Sequence, residues 1–244
     1  MILKRLKKES ENVVLLCTGS SLNDVTDEQW KWLLAQDTLA VNNFVYHPWI
    51  IPKFNHLEVK NYDFPYQQRY LAEKWEKGWK NVGYIFPNER SEVMIDCIGH
   101  KNEAKIHTYD YIRRGDHPKK NPNIKIDADY DPNNRIYKSF DASMSSIIQI
   151  LYLMKYKNII IIGMDMTNSG YFWSEMDIDV HDKWNKAREG KAKEQPHNAS
   201  HLKDFVIDFN TRHMIPKGRE IFIISKKTAL YPTLRLWEFE NVKC

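Results

Sequence analysis

The fold is decided by residues 12–21, which read NVVLLCTGSS. Residues 13–17 form an apolar run without alternation, which is typical of a parallel strand covered by helices on both faces. The turn after this run consists of four small residues, Thr18, Gly19, Ser20 and Ser21. In such a turn backbone N–H groups can approach a phosphate or a ribose, and hydroxyls add donors. The stretch predicts a buried strand and a candidate ligand-binding turn, with an ordinary strand-to-helix turn as the alternative.

Similar runs recur along the chain and alternate with helical patterns. Further strands are predicted at 38–41, 81–86, 104–107, 158–163 and 220–225. Helices are predicted at 26–36, which Thr26 and Gln29 open as a capping box, and at 65–77, 143–156 and 198–212. This alternation predicts one α/β domain over residues 1–244, with a Rossmann-like, mostly parallel sheet and helices on both faces. The polar residues 166–197 lack a regular pattern and are interpreted as a lid-like insertion.

Composition excludes several classes of protein. The charge balance of 36 basic against 32 acidic residues gives only +4, without the basic stripe that a nucleic-acid partner requires. Three distant cysteines, Cys17, Cys97 and Cys244, indicate a reducing, cytoplasmic setting with no disulfide framework and no zinc spacing. No apolar run reaches the ~18–20 residues that span a bilayer. Residues 1–8 are basic, but no apolar stretch follows them, so no secretory signal is predicted.

The ends of the predicted strands are where ligands bind in an open parallel sheet. Four such ends are residues 17–23, 41–44, 163–171 and 225–228. Asn42 and Asn43 could read a base edge or a ribose, because an amide both donates and accepts hydrogen bonds. A turn that uses asparagine for its tolerant backbone is the alternative.

Two histidines form a second candidate group. His197 and His201 are four residues apart at the start of the predicted helix 198–212, and histidine is the natural general base near neutral pH. The same spacing could hold a metal with His181 or Asp179 as third ligand, although no second cluster supports this. Solvated or capping histidines are the alternative. The D-x-D patterns at 127–129 and 177–179 follow no convincing strand and are interpreted as solvated acids.

In their order along the chain these segments resemble the bacterial lipooligosaccharide sialyltransferases of glycosyltransferase family 42. Residues 17–22 are similar to the family's G-N-G-P-S-L-type turn, and 41–46 to its C-N-Q-F-like segment. Residues 142–144 stand where the family has T-S-G, and 162–167 where it has S-G-I-D-F-Y. Residues 197–200 are similar to the histidine segment that precedes the family's last helix. Pterin pyrophosphokinase-like domains share the opening turn and the G-x-D strand end.

The resemblance implies a role for each matched residue. Thr18 and Gly19, with Ser20 and Ser21, would approach the nucleotide; Asn42, beside Asn43, would contact cytidine; and Ser143 would sit near the donor. Asp165 and His201 complete the candidate substrate-binding set. His197 would be the base that takes a proton from the acceptor hydroxyl. Thr167 and Tyr171 stand where two family tyrosines help the phosphate to leave. The family arginine falls near Phe140, and Arg135 is the nearest arginine.

The predicted function is therefore transfer of sialic acid from CMP-sialic acid to a glycan hydroxyl, with inversion and without a metal or another cofactor. Two alternatives stay open: a pterin pyrophosphokinase-like enzyme that uses ATP and magnesium, and a non-catalytic nucleotide- or sugar-binding module. A homo-oligomer stays open too. The basic residues 1–8 and the segment 234–239 could touch a membrane surface. The alternative for 234–239 is a terminal helix packed on the sheet.

Overall fold

The computed structural model describes residues 6–58, 63–100, 102–114, 136–139, 143–167, 170–176, 178 and 199–239. Its centre is a seven-stranded sheet in which every pair of neighbours is parallel. The strands are β1 (Asn12–Leu16), β2 (Asp37–Val41), β3 (Phe54–His56), β4 (Gly83–Pro87), β5 (Lys105–Tyr109), β6 (Tyr111–Arg114), β7 (Ile136–Ser139), β8 (Asn158–Ile162) and β9 (Glu220–Ile223). β6 and β7 form a separate parallel pair.

The order of the strands identifies one special position in the sheet. The order is β5-β4-β3-β2-β1-β8-β9, so the chain builds outward from β1 and then returns to its other side. β1 and β8 are in register from Asn12 opposite Asn158 to Leu16 opposite Ile162. This reversal between β1 and β8 is a topological switch point, where the connections after neighbouring strands diverge and leave a crevice at the carboxyl ends.

Five helices cover the sheet in the described part of the chain, and their bounds are α1 (Asp27–Leu34), α2 (Phe64–Lys74), α3 (Ser91–Ile98), α4 (Ser143–Leu153) and α5 (Ala199–Phe209). α1, α2 and α3 pack on one face, and α4 and α5 on the other. The strand residues alternate between the two cores, so Val13 faces α4 and Val14 faces α1. The prediction of an α/β sheet with helices on both faces is confirmed. The capping box of α1 is also confirmed, since Thr26 and Gln29 bond each other's backbone N–H.

α4 and α5 run antiparallel to the strands, which places their first turns at the carboxyl edge of the sheet. Tyr156, just after α4, donates to Asp37 at the start of β2 at 2.7 Å. Asn210, just after α5, accepts from the N–H of Ile221 near the start of β9 at 2.8 Å. The C-terminal ends of both helices thus lie at the amino edge. Their N-terminal ends, with the partial positive charge of the helix dipole, point to the edge where ligands bind.

Residues 234–239 do not form the terminal helix that was predicted as the alternative to membrane contact. That prediction is wrong. The N–H of Ile223 donates to Arg235 O at 3.0 Å, and the N–H of Trp237 donates to Ile223 O at 2.8 Å. The Trp237 ring packs 5.0 Å from Phe222 and 5.2 Å from Trp32. The segment is extended because the outer edge of β9 offers unpaired backbone groups, and pairing satisfies them. No helix in the described ranges is long and apolar enough to cross a bilayer.

The amino edge of the sheet is organised around one buried carboxylate. Asp37 accepts hydrogen bonds from Lys53 Nζ at 2.7 Å, from the N–H of Glu9 at 2.8 Å and from the Tyr156 hydroxyl at 2.7 Å. Burial alone would raise the pKa of Asp37, but these donors outweigh it and hold the pKa below its ordinary value. A cavity of about 400 Å³ lies beside this group. Because its charged groups already bond one another, we do not place the functional site there.

The Asp37 network predicts a particular acid sensitivity. A carboxyl whose pKa is depressed in the folded state stabilises the fold above its unfolded pKa of about 3.9. That stability is lost as the pH falls through the folded pKa. We expect Asp37→Asn to lower the free energy of unfolding at pH 7 by about 1.5–3 kcal/mol and to flatten its fall below pH ~4. Urea unfolding between pH 3 and 7 measures both effects.

Asp24→Asn is the matched control, because Asp24 pairs with Lys227 at the exposed surface at 2.7 Å. An exposed pair of this kind contributes about 0–1 kcal/mol. An Asp37→Asn variant that behaves like Asp24→Asn at every pH would contradict the assigned role of the network.

Candidate functional site

The segments that follow β1 and β8 cross each other in direct contact, and this contact is called the β1–β8 crossing. The N–H of Cys17 donates to Ile162 O at 2.8 Å, and the N–H of Gly19 donates to Gly163 O at 2.6 Å. A Cβ on Gly19 would lie 2.5 Å from Asp165 Oδ2 and 2.7 Å from Gly163 O. Glycine is therefore required at position 19 so that the two backbones can approach. The predicted strand ends 17–23 and 163–171 are thus brought together at the switch point.

Asp165 holds this crossing in place. Its side chain is 4% exposed and accepts from the N–H of Ser21 at 3.0 Å, with a second, short hydrogen bond from the Ser21 hydroxyl. The Ser20 hydroxyl lies 3.5 Å from Asp165 Oδ2. The backbone oxygen of Asp165 accepts from the N–H of Ala229 at 2.9 Å, which joins the segment after β9 to the same place. Asp165 therefore acts as a structural anchor for the turn.

These contacts change how the turn can meet a ligand. The N–H groups of Gly19, Ser20 and Ser21 donate within the protein, to Gly163 O, Gly170 O and Asp165 Oδ2. The sequence suggested that these groups could bind a phosphate, but in the structure they already have partners. The half-buried side chains of Thr18 and Ser20 are the polar groups of the turn nearest to solvent. A ligand at this turn would therefore contact side-chain hydroxyls and not the backbone N–H groups of residues 19–21.

Tyr171 is half-buried and lies beside this turn, whereas Thr167 is exposed to solvent. Tyr171 forms an antiparallel bridge with Gly19, and the next residue, Phe172, donates its N–H to Thr18 O at 3.0 Å. The Tyr171 ring stacks on the buried Trp173 ring, with centroids 4.6 Å apart and planes 1° apart. Position 171, one of the two that the resemblance assigns to leaving-group tyrosines, is therefore in contact with the turn.

The two asparagines after β2 play different parts. Asn42 is half-buried with a φ of +42°, and its Oδ1 accepts from the N–H of Glu58 at 2.8 Å. Asn43 is 7% exposed, and its Oδ1 accepts a short hydrogen bond from the Gln67 side chain on α2. Asn43 thus ties the turn to α2, and Asn42 is the better placed of the two to meet a ligand.

Glu58 is a site residue that the sequence did not reveal. It follows β3, is 7% exposed, and its Oε2 accepts from the Ser143 hydroxyl at 2.5 Å. Ser143 begins α4, so the carboxylate lies at the positive end of the helix dipole. Below it, His56 Nε2 and the Tyr109 hydroxyl form a 2.8 Å hydrogen bond. Burial, reinforced by the nearby Glu58 charge, raises the pKa of Tyr109 well above its ordinary value.

β3 escaped prediction because it has three residues, two of them polar, Asn55 and His56. The available signal was the polar pair His56 and Glu58, spaced as strand residues on one face are. Two residues apart in an extended chain project to the same side. Because β3 was not predicted, this spacing could not be recognised as one face of a strand.

Of the two histidines in the predicted pair, one lies in the described part of the chain. His201 is half-buried in the first turn of α5 and therefore lies at the carboxyl edge, while His197 falls outside the described residues. Other predicted positions also fall outside them: Asp127, Asp129, Arg135, Phe140, Asp177, Asp179 and His181. Within the described ranges no group of three or more His, Cys, Asp or Glu side chains is placed to hold a metal ion.

No family model, curated protein or solved structure matches this chain. The fold and the site nevertheless define a class: a parallel α/β protein whose polar groups gather at the carboxyl edge, beside a topological switch point. In such proteins that edge is the usual ligand site.

Proposed function

We propose that the chain is a glycosyltransferase of the sialyltransferase type, which transfers sialic acid from CMP-sialic acid to a glycan hydroxyl. One observation carries the proposal: segments far apart in the sequence, which the resemblance assigns to the donor, meet at one edge of the sheet. The turn after β1 packs on Asp165, 144 residues from Ser21. Asn42 and Ser143 both bond to Glu58.

The proposed chemistry follows from these groups. Transfer requires a phosphate leaving group whose growing charge is stabilised and an acceptor hydroxyl that loses its proton. Hydroxyl donors at the β1–β8 crossing, those of Thr18 and Tyr171, would stabilise the phosphate. Removing one such donor from an enzyme typically costs about 10²–10³ in rate. His197, just before α5 in the sequence, would serve as the base, in keeping with the position of His201 at the carboxyl edge.

A nucleotide panel tests the donor class. We expect CMP to raise the melting temperature more than CDP, UDP, GDP or ATP with magnesium. At one hundred times the dissociation constant a ligand adds about 2.7 kcal/mol, which corresponds to roughly 5–10 °C for a chain of this size. Asn42→Gly should weaken CMP binding about tenfold in calorimetry. Glycine keeps the left-handed backbone that position 42 adopts, so the substitution removes the carboxamide and its hydrogen bond to the Glu58 N–H without straining the backbone.

Asn88→Gly is the control for this measurement, because Asn88 is an exposed residue just after β4 at the same edge. It should leave the CMP affinity unchanged. Preference for ATP with magnesium would instead favour the pterin pyrophosphokinase-like alternative. A panel in which no nucleotide stabilises the protein would contradict the proposal.

A second candidate is a nucleotide- or sugar-binding module without catalysis. Two observations favour it: the turn amides bond within the protein, and Thr167 stands where the family has a tyrosine. Both would weaken stabilisation of a leaving phosphate while leaving room for binding. CMP binding without release of CMP from CMP-sialic acid, on any glycan acceptor offered, would identify this module.

A further inference from the structure

Glu58 connects two predicted donor-binding residues, Asn42 and Ser143. Its backbone N–H donates to Asn42 Oδ1 at 2.8 Å, and its carboxylate accepts from the Ser143 hydroxyl at 2.5 Å. Asn42 lies 16 residues before Glu58, and Ser143 lies 85 residues after it. The side chain is 7% exposed, so water does not compete freely for these bonds.

We propose that Glu58 is a positioning residue whose carboxylate sets which hydrogen-bonding atom Ser143 presents to the ligand, while its backbone N–H holds the carboxamide oxygen of Asn42. The inference rests on the proposed function, which makes those two residues part of the donor site. Asn42 uses its carboxamide oxygen on Glu58, so its NH₂ group is the part directed to other partners. Ser143 has one hydroxyl proton and gives it to Glu58, so its oxygen is left to accept.

This arrangement defines the chemistry of the ligand at that end of the site. The group that meets Asn42 should be an acceptor, such as a carbonyl or a ring nitrogen. The group that meets Ser143 should be a donor, such as a sugar hydroxyl or an amine. A carboxylate one hydrogen bond away repels an anion, so the group against Ser143 should be neutral and not a phosphate. A nucleoside or a sugar ring satisfies these three conditions.

The charge of Glu58 is supported by its surroundings. The first turn of α4 places a helix N-terminus beside the carboxylate, and the Ser143 hydroxyl adds a charge-assisted hydrogen bond. The negative charge of Glu58 adds to the burial that raises the pKa of the nearby Tyr109. A second acid of the same edge, Glu89, is exposed and accepts a 2.5 Å hydrogen bond from the Tyr111 hydroxyl.

The test compares Glu58→Ala and Glu58→Gln with the matched control Glu89→Gln. One readout is the backbone amide signal of Ser143 by NMR in the protein without ligand. The other is the affinity for CMP by calorimetry. We expect Glu58→Ala to shift the Ser143 signal, because the carboxylate that Ser143 bonds is removed, and to weaken CMP binding about 10- to 100-fold. The side-chain amide signals of Asn42 should stay in place, because alanine keeps the backbone N–H that bonds Asn42. Glu58→Gln keeps an acceptor oxygen for Ser143 and should lose less than tenfold; Glu89→Gln should change neither readout.

The two readouts separate this inference from the proposed function. An unchanged Ser143 signal in Glu58→Ala would overturn the positioning role, whatever the nucleotide results. A shifted Ser143 signal in a protein that binds no nucleotide would support the positioning role and contradict the donor site. If Glu58→Ala does not fold, a double-mutant cycle of Glu58→Gln with Ser143→Ala replaces it. Losses of affinity that simply add in that cycle would overturn the inference.

Discussion

Replacing Gly163 by alanine is expected to cost about 2–5 kcal/mol of folding free energy, the largest loss of stability that we predict for a single methyl group. Gly163 has a φ of +71°, which an L side chain rarely adopts. Its Cβ would lie 2.1 Å from Leu22 Cδ1 and 2.8 Å from Cys17 O. The backbone oxygen cannot move without opening the β1–β8 crossing. The melting temperature should fall by roughly 5–15 °C, measured by calorimetry.

Gly99→Ala isolates the backbone part of this cost. Gly99 ends α3 with a φ of +73°, but nothing lies within 4 Å of a Cβ placed there. That variant should lose only the penalty of the left-handed backbone, about 1–2 kcal/mol. Equal losses in the two variants would show that the β1–β8 crossing is not tightly packed. The close contact of the segments that follow these strands would then have no energetic role.

Replacing His197 by alanine is expected to lower kcat for glycan transfer from CMP-sialic acid about 10²–10⁴-fold, with little change in CMP affinity. A positioned general base contributes a factor of this size to proton transfer, and the proposed role of His197 involves the acceptor hydroxyl and not the nucleotide. Single-turnover transfer to a labelled glycan measures the rate, and calorimetry with CMP measures the affinity. This effect would be the largest change in activity that we predict.

His201→Ala is the control for that experiment. His201 is four residues further on, in the first turn of α5, and keeps the local charge and composition similar. Its loss should reduce the rate by much less, because His201 is predicted only as part of the substrate-binding set and the resemblance assigns the base to His197. A His197→Ala protein that turns over at the rate of the unaltered chain would remove His197 from the mechanism, and comparable losses in both variants would remove its special role.

The elements that were predictable from the sequence are those whose own pattern decides their structure. β1 and β8 are continuous apolar runs, and α4 carries apolar residues at helical spacing, so local preference and burial agree. β3 and α3 were not predicted, for different reasons. β3 is short and polar, and it is a strand only because β2 and β4 pair with it. α3 has no side-chain cap and follows the polar turn Asn88–Arg90.

The candidate site was predictable as a set of residues but not as a set of contacts. Asn42, Ser143 and Asp165 stood out because each follows a predicted strand or opens a predicted helix. Their partners could not be seen, because a hydrogen bond between residues 85 or 144 positions apart has no trace in local sequence. Glu58 is the clearest case, since one acid among the chain's many charged residues gains meaning only from its neighbours in space.

The segment that pairs with β9 has a consequence for edge-to-edge association along this side of the sheet. A parallel sheet whose last strand lies bare offers a row of backbone donors and acceptors to any other sheet. Here Arg235 and Trp237 occupy that row from within the same chain. The tail therefore protects the protein against joining a second molecule along this side. Shortened or extended versions of the carboxyl terminus would preserve that protection only if the two residues keep their place.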